Sequence, residues 1–141
     1  MQVPSPSGHV ASWYAASANP APPRPALEGE IDCDVCVVGA GFTGISAALH
    51  LAEKGVSVVV LEASRVGFGA SGRNGGQIVN SYSRDMDVIE AKYGEQTARA
   101  LGDMAFEGNR IIRQRINAYR IQCDLHDGNL FAASNEKQMQ G

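Results

Sequence analysis

The sequence predicts an α/β fold that opens with a strand, a helix and a second strand. The apolar, β-branched run Cys33–Val38 is typical of a strand buried on both faces. From Phe42 to Lys54 the apolar residues instead follow helical spacing, and Val56–Glu62 is a second strand-like run. Because the helix crosses over between the two strands, we expect them to be parallel, with a right-handed connection.

The first predicted helix has one inward face and a defined end. Its apolar stripe falls at helical spacing, and Gly55 is the expected C-terminal stop. The stripe residues are Ile45, Ala48, Leu49 and Ala52.

Two further helices are predicted after a glycine-rich segment. Met86–Tyr93 is a short helix ended by Gly94, and Glu95–Tyr119 is a long one. Gly102 and Gly108 lie inside the long helix, where glycine costs about 1 kcal/mol, so we expect close packing or a bend there. The residues expected on its buried face are Ala98, Leu101, Ala105, Ile112, Ile116 and Tyr119.

The C-terminal part predicts a short β-hairpin. Its strands are Ile121–Leu125 and Leu130–Ala133, and Asp127–Asn129 is a typical turn between them. Asn135 begins a helix-like pattern. Since two strands of a parallel sheet precede this point and no later ones follow, the sheet is expected to be incomplete.

Composition excludes several classes of function. The chain has 141 residues, a net charge of −3 and 44% hydrophobic residues, which fits a folded protein without the positive charge that nucleic acid or anionic lipid requires. No apolar run approaches the roughly 18 residues of a membrane span, and no secretory signal is evident. We therefore expect no nucleic-acid or membrane partner and a cytoplasmic location.

The first 29 residues and the cysteines have simple interpretations. Residues 1–29 hold all six prolines and form an irregular arm, on which Trp13 and Tyr14 are expected to dock against a surface. The chain has three cysteines, which argues against a disulfide framework. Cys33 and Cys36 are too far apart along a strand to pair, and are expected to be small core residues.

A glycine motif lies at the junction between the first strand and the helix. Gly39-Ala-Gly41-Phe-Thr-Gly44 is a G-x-G-x-x-G, placed directly after a strand and at the start of a helix. Gly39 permits a tight turn, Gly41 leaves room for a pyrophosphate, and Gly44 allows close packing of helix and strand. The N–H groups of the first helical turn, with the positive end of the helix dipole, would hold the phosphates.

The acidic residue at the end of the second strand narrows the choice of cofactor. Glu62 is placed to accept hydrogen bonds from ribose hydroxyls and would repel the 2′-phosphate of NADP, although Arg65 is close by. The glycine-rich segment Val66–Gln77 offers a second backbone surface, which favours FAD over NAD. Two alternatives stay open: an NAD-dependent dehydrogenase, and a non-catalytic module that retains the dinucleotide cradle.

These residues resemble a known family. Asp34–Glu62 followed by Gly67–Gly76 is similar to the N-terminal FAD-binding part of the D-amino-acid oxidase superfamily of flavin amine oxidoreductases. The similarity to one polyamine-oxidising branch extends over further segments: Trp13–Asn19, Ser81–Asp85, Phe106–Gly108 and Gly128–Phe131.

The resemblance implies a set of FAD-binding residues. The first loop and the ribose acid contribute Gly39, Gly41, Phe42, Thr43, Gly44, Glu62 and Ala63. The second loop, along the pyrophosphate and flavin, contributes Ala70, Ser71, Arg73, Asn74, Gly75, Gly76 and Gln77. Arg73 is the cation expected near the flavin, where it could stabilise the reduced ring. Some relatives attach the flavin covalently to a histidine in this loop, and because no histidine is present here, we expect no covalent link from this segment.

The resemblance also implies a reaction. A polyamine-derived or amino-acid-like amine would give a hydride from the carbon beside nitrogen to flavin N5, the imine would be hydrolysed, and oxygen or another acceptor would reoxidise the flavin. Family members are roughly three times as long, so we expect this chain to be an N-terminal fragment. The expected organisation is an arm at 1–29, part of an FAD-binding domain at 30–120, and the first substrate-domain strands at 121–141.

Other residues that could carry chemistry receive no role. His50 lies beside the apolar stripe of the first helix, where a lone histidine is typically a boundary residue. Cys123 and His126 have a spacing compatible with a metal, but two ligands do not make a zinc site. We therefore expect no metal, and catalytic residues are not identified within this chain.

Overall fold

A computed structural model describes residues 11–128 and 132–136. The described residues form two compact units that divide between Ile78 and Val79. In the first unit, helix α1 spans Trp13–Ser17, strand β1 Val35–Val38, helix α2 Phe42–Ala52 and strand β2 Val58–Leu61. A 3₁₀ turn follows at Ala70–Gly72. In the second unit, helix α3 spans Met86–Tyr93 and helix α4 Glu95–Tyr119.

The predicted strand–helix–strand unit is present. β1 and β2 are parallel, with Val35 opposite Val58 and Val38 opposite Leu61. Helix α2 packs on both strands, and Gly55, at φ 82°, follows its end as expected. Both strands and the helix are shorter than predicted because the flanking residues leave the ladder and the helical hydrogen-bond pattern.

The burial of β1 differs from the prediction. Val35 and Val37 are half-buried, whereas Cys36 and Val38 are exposed, and Val38 is 84% accessible. Successive side chains of a strand point to opposite faces, so α2 covers one face of β1 and leaves the other open. The prediction of a strand buried on both faces is therefore wrong here, and so is the assignment of Cys36 to the core. Cys33 is half-buried, and the three cysteines are free thiols.

The arm also differs from the prediction. It contains a short helix, α1, whose first turn is capped by the Ser12 hydroxyl accepting the Ala15 N–H at 3.2 Å. Trp13 is 78% exposed and Tyr14 is also exposed. The expected docking of these two rings is not found among the described residues.

In the second unit both predicted helices have the expected bounds. Gly94, at φ 84°, ends α3 and precedes α4 directly, a conformation that glycine adopts without strain. Ile89 of α3 and Ala98 of α4 are buried where the helices pack together. The Tyr82 hydroxyl donates to the Leu101 carbonyl at 2.7 Å, which ties the preceding loop to α4.

The buried face of α4 is shorter than predicted. Ala98 is buried, but Ile112 and Tyr119 are exposed, as Ala52 is on α2. The eight residues of α3 can cover only part of a 25-residue helix. A methyl group on Gly102 would make only an ordinary contact with Met86 Cε at 3.9 Å, and one on Gly108 would meet nothing within 4 Å, so the predicted close packing is not found at either glycine.

The predicted hairpin is not formed in the part of it that the structure describes. Residues 121–128 contain no strand, and Asp124 (φ 49°) and Gly128 (φ 115°) have backbone conformations that interrupt an extended chain. The segment is attached instead by an ion pair between Arg113 and Asp127 at 2.6 Å. Leu130 and Phe131 lie outside the described residues, as does most of the helix predicted from Asn135. No described helix is long and apolar enough to cross a membrane.

Candidate functional site

The first candidate loop joins β1 to α2. Gly39 has φ 98°, a conformation that side chains rarely adopt, and its N–H donates to the Leu61 carbonyl of β2 at 2.7 Å. Gly41 is the N-cap of α2 and has no side chain to satisfy the first-turn N–H groups. The loop therefore presents backbone donors at the positive end of a helix, which is an arrangement suited to phosphate.

Gly44 is required by close packing. A β-carbon at this position would overlap the Gly39 carbonyl oxygen and would come within 3.3 Å of Val37 Cγ1. The first turn of α2 thus lies directly against the end of β1. This is the helix–strand approach that the spacing of the third glycine predicts.

Glu62 holds the first loop by hydrogen bonds. Its Oε2 accepts the Ala40 N–H at 2.8 Å and its Oε1 accepts the Ser64 N–H at 2.9 Å. These bonds, led by the one from Ala40, lower the pKa of Glu62 below its ordinary value of 4.5. A carboxylate has about four acceptor sites, so these two bonds leave capacity for ribose hydroxyls as well.

The second loop is attached to the first at two points. The Ser71 hydroxyl accepts the Phe42 N–H at 2.9 Å, at the start of α2. The Gly67 N–H donates to the Ala40 carbonyl at 2.9 Å. A β-carbon on Gly41 would lie 3.0 Å from the Ser71 hydroxyl oxygen. The two predicted loops therefore meet at the N-terminus of α2, although Ser71 and Phe42 are 29 residues apart.

Asn74 stabilises the turn of the second loop. Its amide nitrogen donates to the Ala70 carbonyl at 3.1 Å and to the Ser71 carbonyl at 2.9 Å. Its amide oxygen accepts the Gly76 N–H at 2.8 Å. The side chain predicted to lie along the cofactor is thus used to shape the loop.

Arg73 is anchored to Phe68. Its Nε–H donates to the Phe68 carbonyl at 2.9 Å, and the guanidinium carbon lies 4.9 Å from the centre of the Phe68 ring. Sequence reasoning did not single out Phe68. Its position between two glycines gave no signal without the fold of the loop.

The remaining predicted residues lie on the surface of the same unit. Phe42 is 68% exposed, and four others are also exposed. They are Thr43, Ala63, Gly75 and Gln77. The structure thus brings both candidate loops together. Among the residues that it describes, no cluster of three or more metal-ligating side chains occurs.

The donors present fit a dinucleotide. Gly41 and the first turn of α2 form a backbone cradle that a side chain would fill, and Glu62 lies at the end of the next strand. A parallel strand–helix–strand unit with this loop is typical of α/β proteins that bind dinucleotide cofactors. The chain matches the family described as FAD dependent oxidoreductase over residues 34–141, and it belongs to that family, known as DAO.

Curated relatives agree with this membership. Gamma-glutamylputrescine oxidoreductase of Escherichia coli is 66% identical over 93% of this chain and 31% of its own length. A protein named probable oxidoreductase OrdL, from Haemophilus influenzae, is 49% identical over 93% of this chain and 30% of its own. Its namesake from Rhizobium meliloti is 36% identical over 84% and 28%.

The family resemblance noted in the sequence is confirmed by these matches, and the family is FAD-dependent. The chain spans about a third of the length of these three relatives. No solved structure matches the chain.

Proposed function

We propose that this chain supplies the FAD-binding loops of an oxidoreductase that oxidises the C–N bond of an amine. The observation that carries the proposal is the meeting of the two glycine loops at the N-terminus of α2, where Ser71 accepts the Phe42 N–H. One loop offers phosphate donors and the other offers a second backbone surface. An extended dinucleotide needs both, since its pyrophosphate and its flavin lie against different stretches of main chain.

The proposed contacts follow the two loops. Gly39, Gly41 and Gly44 shape the pyrophosphate cradle, and Glu62 accepts the ribose hydroxyls while it holds Ala40. Ser71 orients the second loop. The other proposed contacts are Phe42, Thr43, Ala63, Ala70, Arg73, Asn74, Gly75, Gly76 and Gln77.

The proposed substrate is a gamma-glutamylputrescine-like amine or a related polyamine or amino-acid derivative, because the Escherichia coli relative carries that substrate in its name. Flavin chemistry would supply the oxidation, with oxygen or another acceptor taking the electrons. The role of this chain's residues is to bind and orient the cofactor. We further propose a cytoplasmic location and the division into an arm at 1–29, an FAD-binding part at 30–120 and the start of a substrate domain from 121.

The first test is flavin content after expression from the whole reading frame. Wild-type protein should be yellow, with flavin absorbance, whereas Gly41→Val should retain no flavin because its side chain would fill the cradle beside Ser71. Gly108→Val is the matched control, since a β-carbon there meets nothing within 4 Å. A colourless wild type that binds NADH would overturn the proposal, as would a Gly41→Val variant with full flavin content.

The second test concerns the substrate. Under anaerobic conditions, gamma-glutamylputrescine should bleach the flavin absorbance of the wild-type protein, and putrescine should do so more slowly. A flavin that neither amine reduces would leave FAD binding intact and overturn the assignment of a gamma-glutamylputrescine-like substrate.

A further inference from the structure

Phe68 and Arg73 form a pair within the second loop. The guanidinium is held in two ways by one residue: the Phe68 carbonyl accepts its Nε–H at 2.9 Å, and the Phe68 ring lies 4.9 Å from its central carbon. The backbone of Arg73 is fixed as well, because its N–H donates to the Ala70 carbonyl at 3.1 Å. An exposed arginine otherwise samples many rotamers, so this double attachment defines where its charge lies.

The pair lies on a segment that is bonded to the first loop. Gly67, directly before Phe68, donates to the Ala40 carbonyl, and Ser71, two residues before Arg73, accepts the Phe42 N–H. The segment between these attachments therefore runs beside the cradle at the start of α2. Phe68 lies within this segment and Arg73 two residues after it, so the pair belongs to the loop that meets the N-terminus of α2.

The attachment also leaves most donors of the guanidinium available. Arginine has five N–H donors, and the bond to Phe68 uses the one on Nε. The four on the terminal nitrogens make no hydrogen bond within the part of the chain that the structure describes. The guanidinium carbon lies over the ring of Phe68, and the N–H donors of a guanidinium lie at the edge of its plane.

We infer that Phe68 is a positioning residue that holds the Arg73 guanidinium toward the flavin, where its charge stabilises the reduced cofactor more than the oxidised one. The inference rests on the proposed FAD function of these loops. Phe68 touches no cofactor in this scheme and acts through Arg73. Reduction places negative charge on the flavin, so a fixed cation stabilises the reduced state more than the oxidised state.

The test is a dye-equilibrated redox titration of the flavin in the protein expressed from its whole reading frame. Arg73→Met should lower the equilibrium constant for two-electron reduction, and Phe68→Leu, which keeps the carbonyl but removes the ring, should lower it by up to about tenfold, or about 30 mV. Phe68→Tyr keeps an aromatic face and should leave the potential unchanged. The double variant Phe68→Leu with Arg73→Met should match Arg73→Met alone, because Phe68 acts through the arginine.

Several outcomes would overturn the inference. An unchanged potential in Phe68→Leu, or in Arg73→Met, would show that the pair does not tune the flavin. Additive shifts in the double variant would show that Phe68 acts independently of Arg73, and equal weakening of oxidised and reduced FAD would place the guanidinium on the pyrophosphate instead. In each case the protein still binds flavin, whereas failure of the proposed function would leave the wild type without flavin.

Arg73→Lys is a second test of the inference, for the case in which Phe68→Leu fails to fold or to retain flavin. Arg73→Lys leaves Phe68 in place and keeps the charge, but lysine has neither the planar guanidinium nor the Nε donor that Phe68 holds. We expect the potential of Arg73→Lys to fall toward that of Arg73→Met. A wild-type potential in Arg73→Lys would overturn the positioning role.

Discussion

Different kinds of contact stabilise the glycine loops of the first unit and the helix pair of the second unit. In the loops, hydrogen bonds join residues far apart in sequence, such as Ser71 to Phe42 and Glu62 to Ala40. Several side-chain contacts of α4 are local, as in the ion pair of Arg99 with Glu95 one turn away, although Leu101 and Arg113 also contact residues outside the helix. The loops therefore depend on the exact residue at a few positions, whereas the helices depend on a repeated pattern that tolerates change.

Glycine shows the difference most clearly. Gly44 has no space for a β-carbon, and Gly41 has little, because each lies against another part of the first unit. Gly102 and Gly108 of α4 have room for one. The same residue type is thus a packing requirement in one region and a mild cost to helix stability in the other.

The largest effect is expected from Gly44→Ala. Its methyl group would overlap the Gly39 carbonyl oxygen, so α2 must move away from β1. We expect loss of flavin from the purified protein and a large fall in thermal stability. Gly102→Ala is the matched control, because its methyl group would make an ordinary contact with Met86. Retention of flavin by Gly44→Ala would show that the approach of helix and strand is looser than the structure indicates.

A smaller effect is expected from Glu62→Gln. The neutral amide accepts hydrogen bonds more weakly than the carboxylate and has one oxygen rather than two for the Ala40 and Ser64 N–H groups. FAD should bind the apoprotein more weakly, as measured by fluorescence titration at pH 7. Glu95→Gln, which removes an exposed charge of α4 from its ion pair, is the control and should bind FAD normally.

Glu62 also predicts a pH dependence. Its pKa in the folded protein is lowered, so its contribution to stability is complete above the ordinary value of 4.5 and is lost as the pH falls through the lower, folded value. Wild-type protein should therefore lose stability with acid below about pH 4.5 more steeply than Glu62→Gln. Thermal unfolding between pH 7 and pH 3 checks this, and parallel curves for the two proteins would contradict it.

The sequence predicted the parts of the fold that local rules determine. The G-x-G-x-x-G placed both the turn at Gly39 and the start of α2, and the apolar spacing gave α3 and α4 their bounds. It also identified both loops of the candidate site. In each case the signal lies within a few neighbouring residues.

The contacts between distant residues could not be predicted in this way. Three hydrogen bonds depend on how the second loop folds back. Ser71 accepts the Phe42 N–H at the start of α2, Asn74 donates to the Ser71 carbonyl, and the Phe68 carbonyl accepts from Arg73. Burial failed for a similar reason. Periodicity identifies an apolar face but does not determine how much of that face a neighbouring element covers. The prediction that Ile112 is buried is therefore wrong, and its side chain is exposed.

Tyr82→Phe measures a specific hydrogen bond of the second unit. The variant removes the hydroxyl that donates to the Leu101 carbonyl at 2.7 Å. We expect a loss of about 1 kcal/mol in the free energy of unfolding, with flavin content unchanged. Tyr93→Phe is the control, since the contact of its ring with Lys92 needs no hydroxyl. Equal stabilities of the two variants would mean that the bond to Leu101 contributes nothing.

The smallest effect, and the one of opposite sign, is expected from Gly108→Ala. Gly108 lies inside α4 with helical neighbours on both sides, and a methyl group there would meet nothing within 4 Å. Alanine restricts the unfolded chain and favours the helix, so the variant should be more stable by about 0.5–1 kcal/mol. Urea unfolding of Gly108→Ala and Gly44→Ala beside the wild type then compares one substitution in the two regions. A destabilised Gly108→Ala would show that another surface packs against this side of α4, and that its glycine, like Gly44, is required by a close contact.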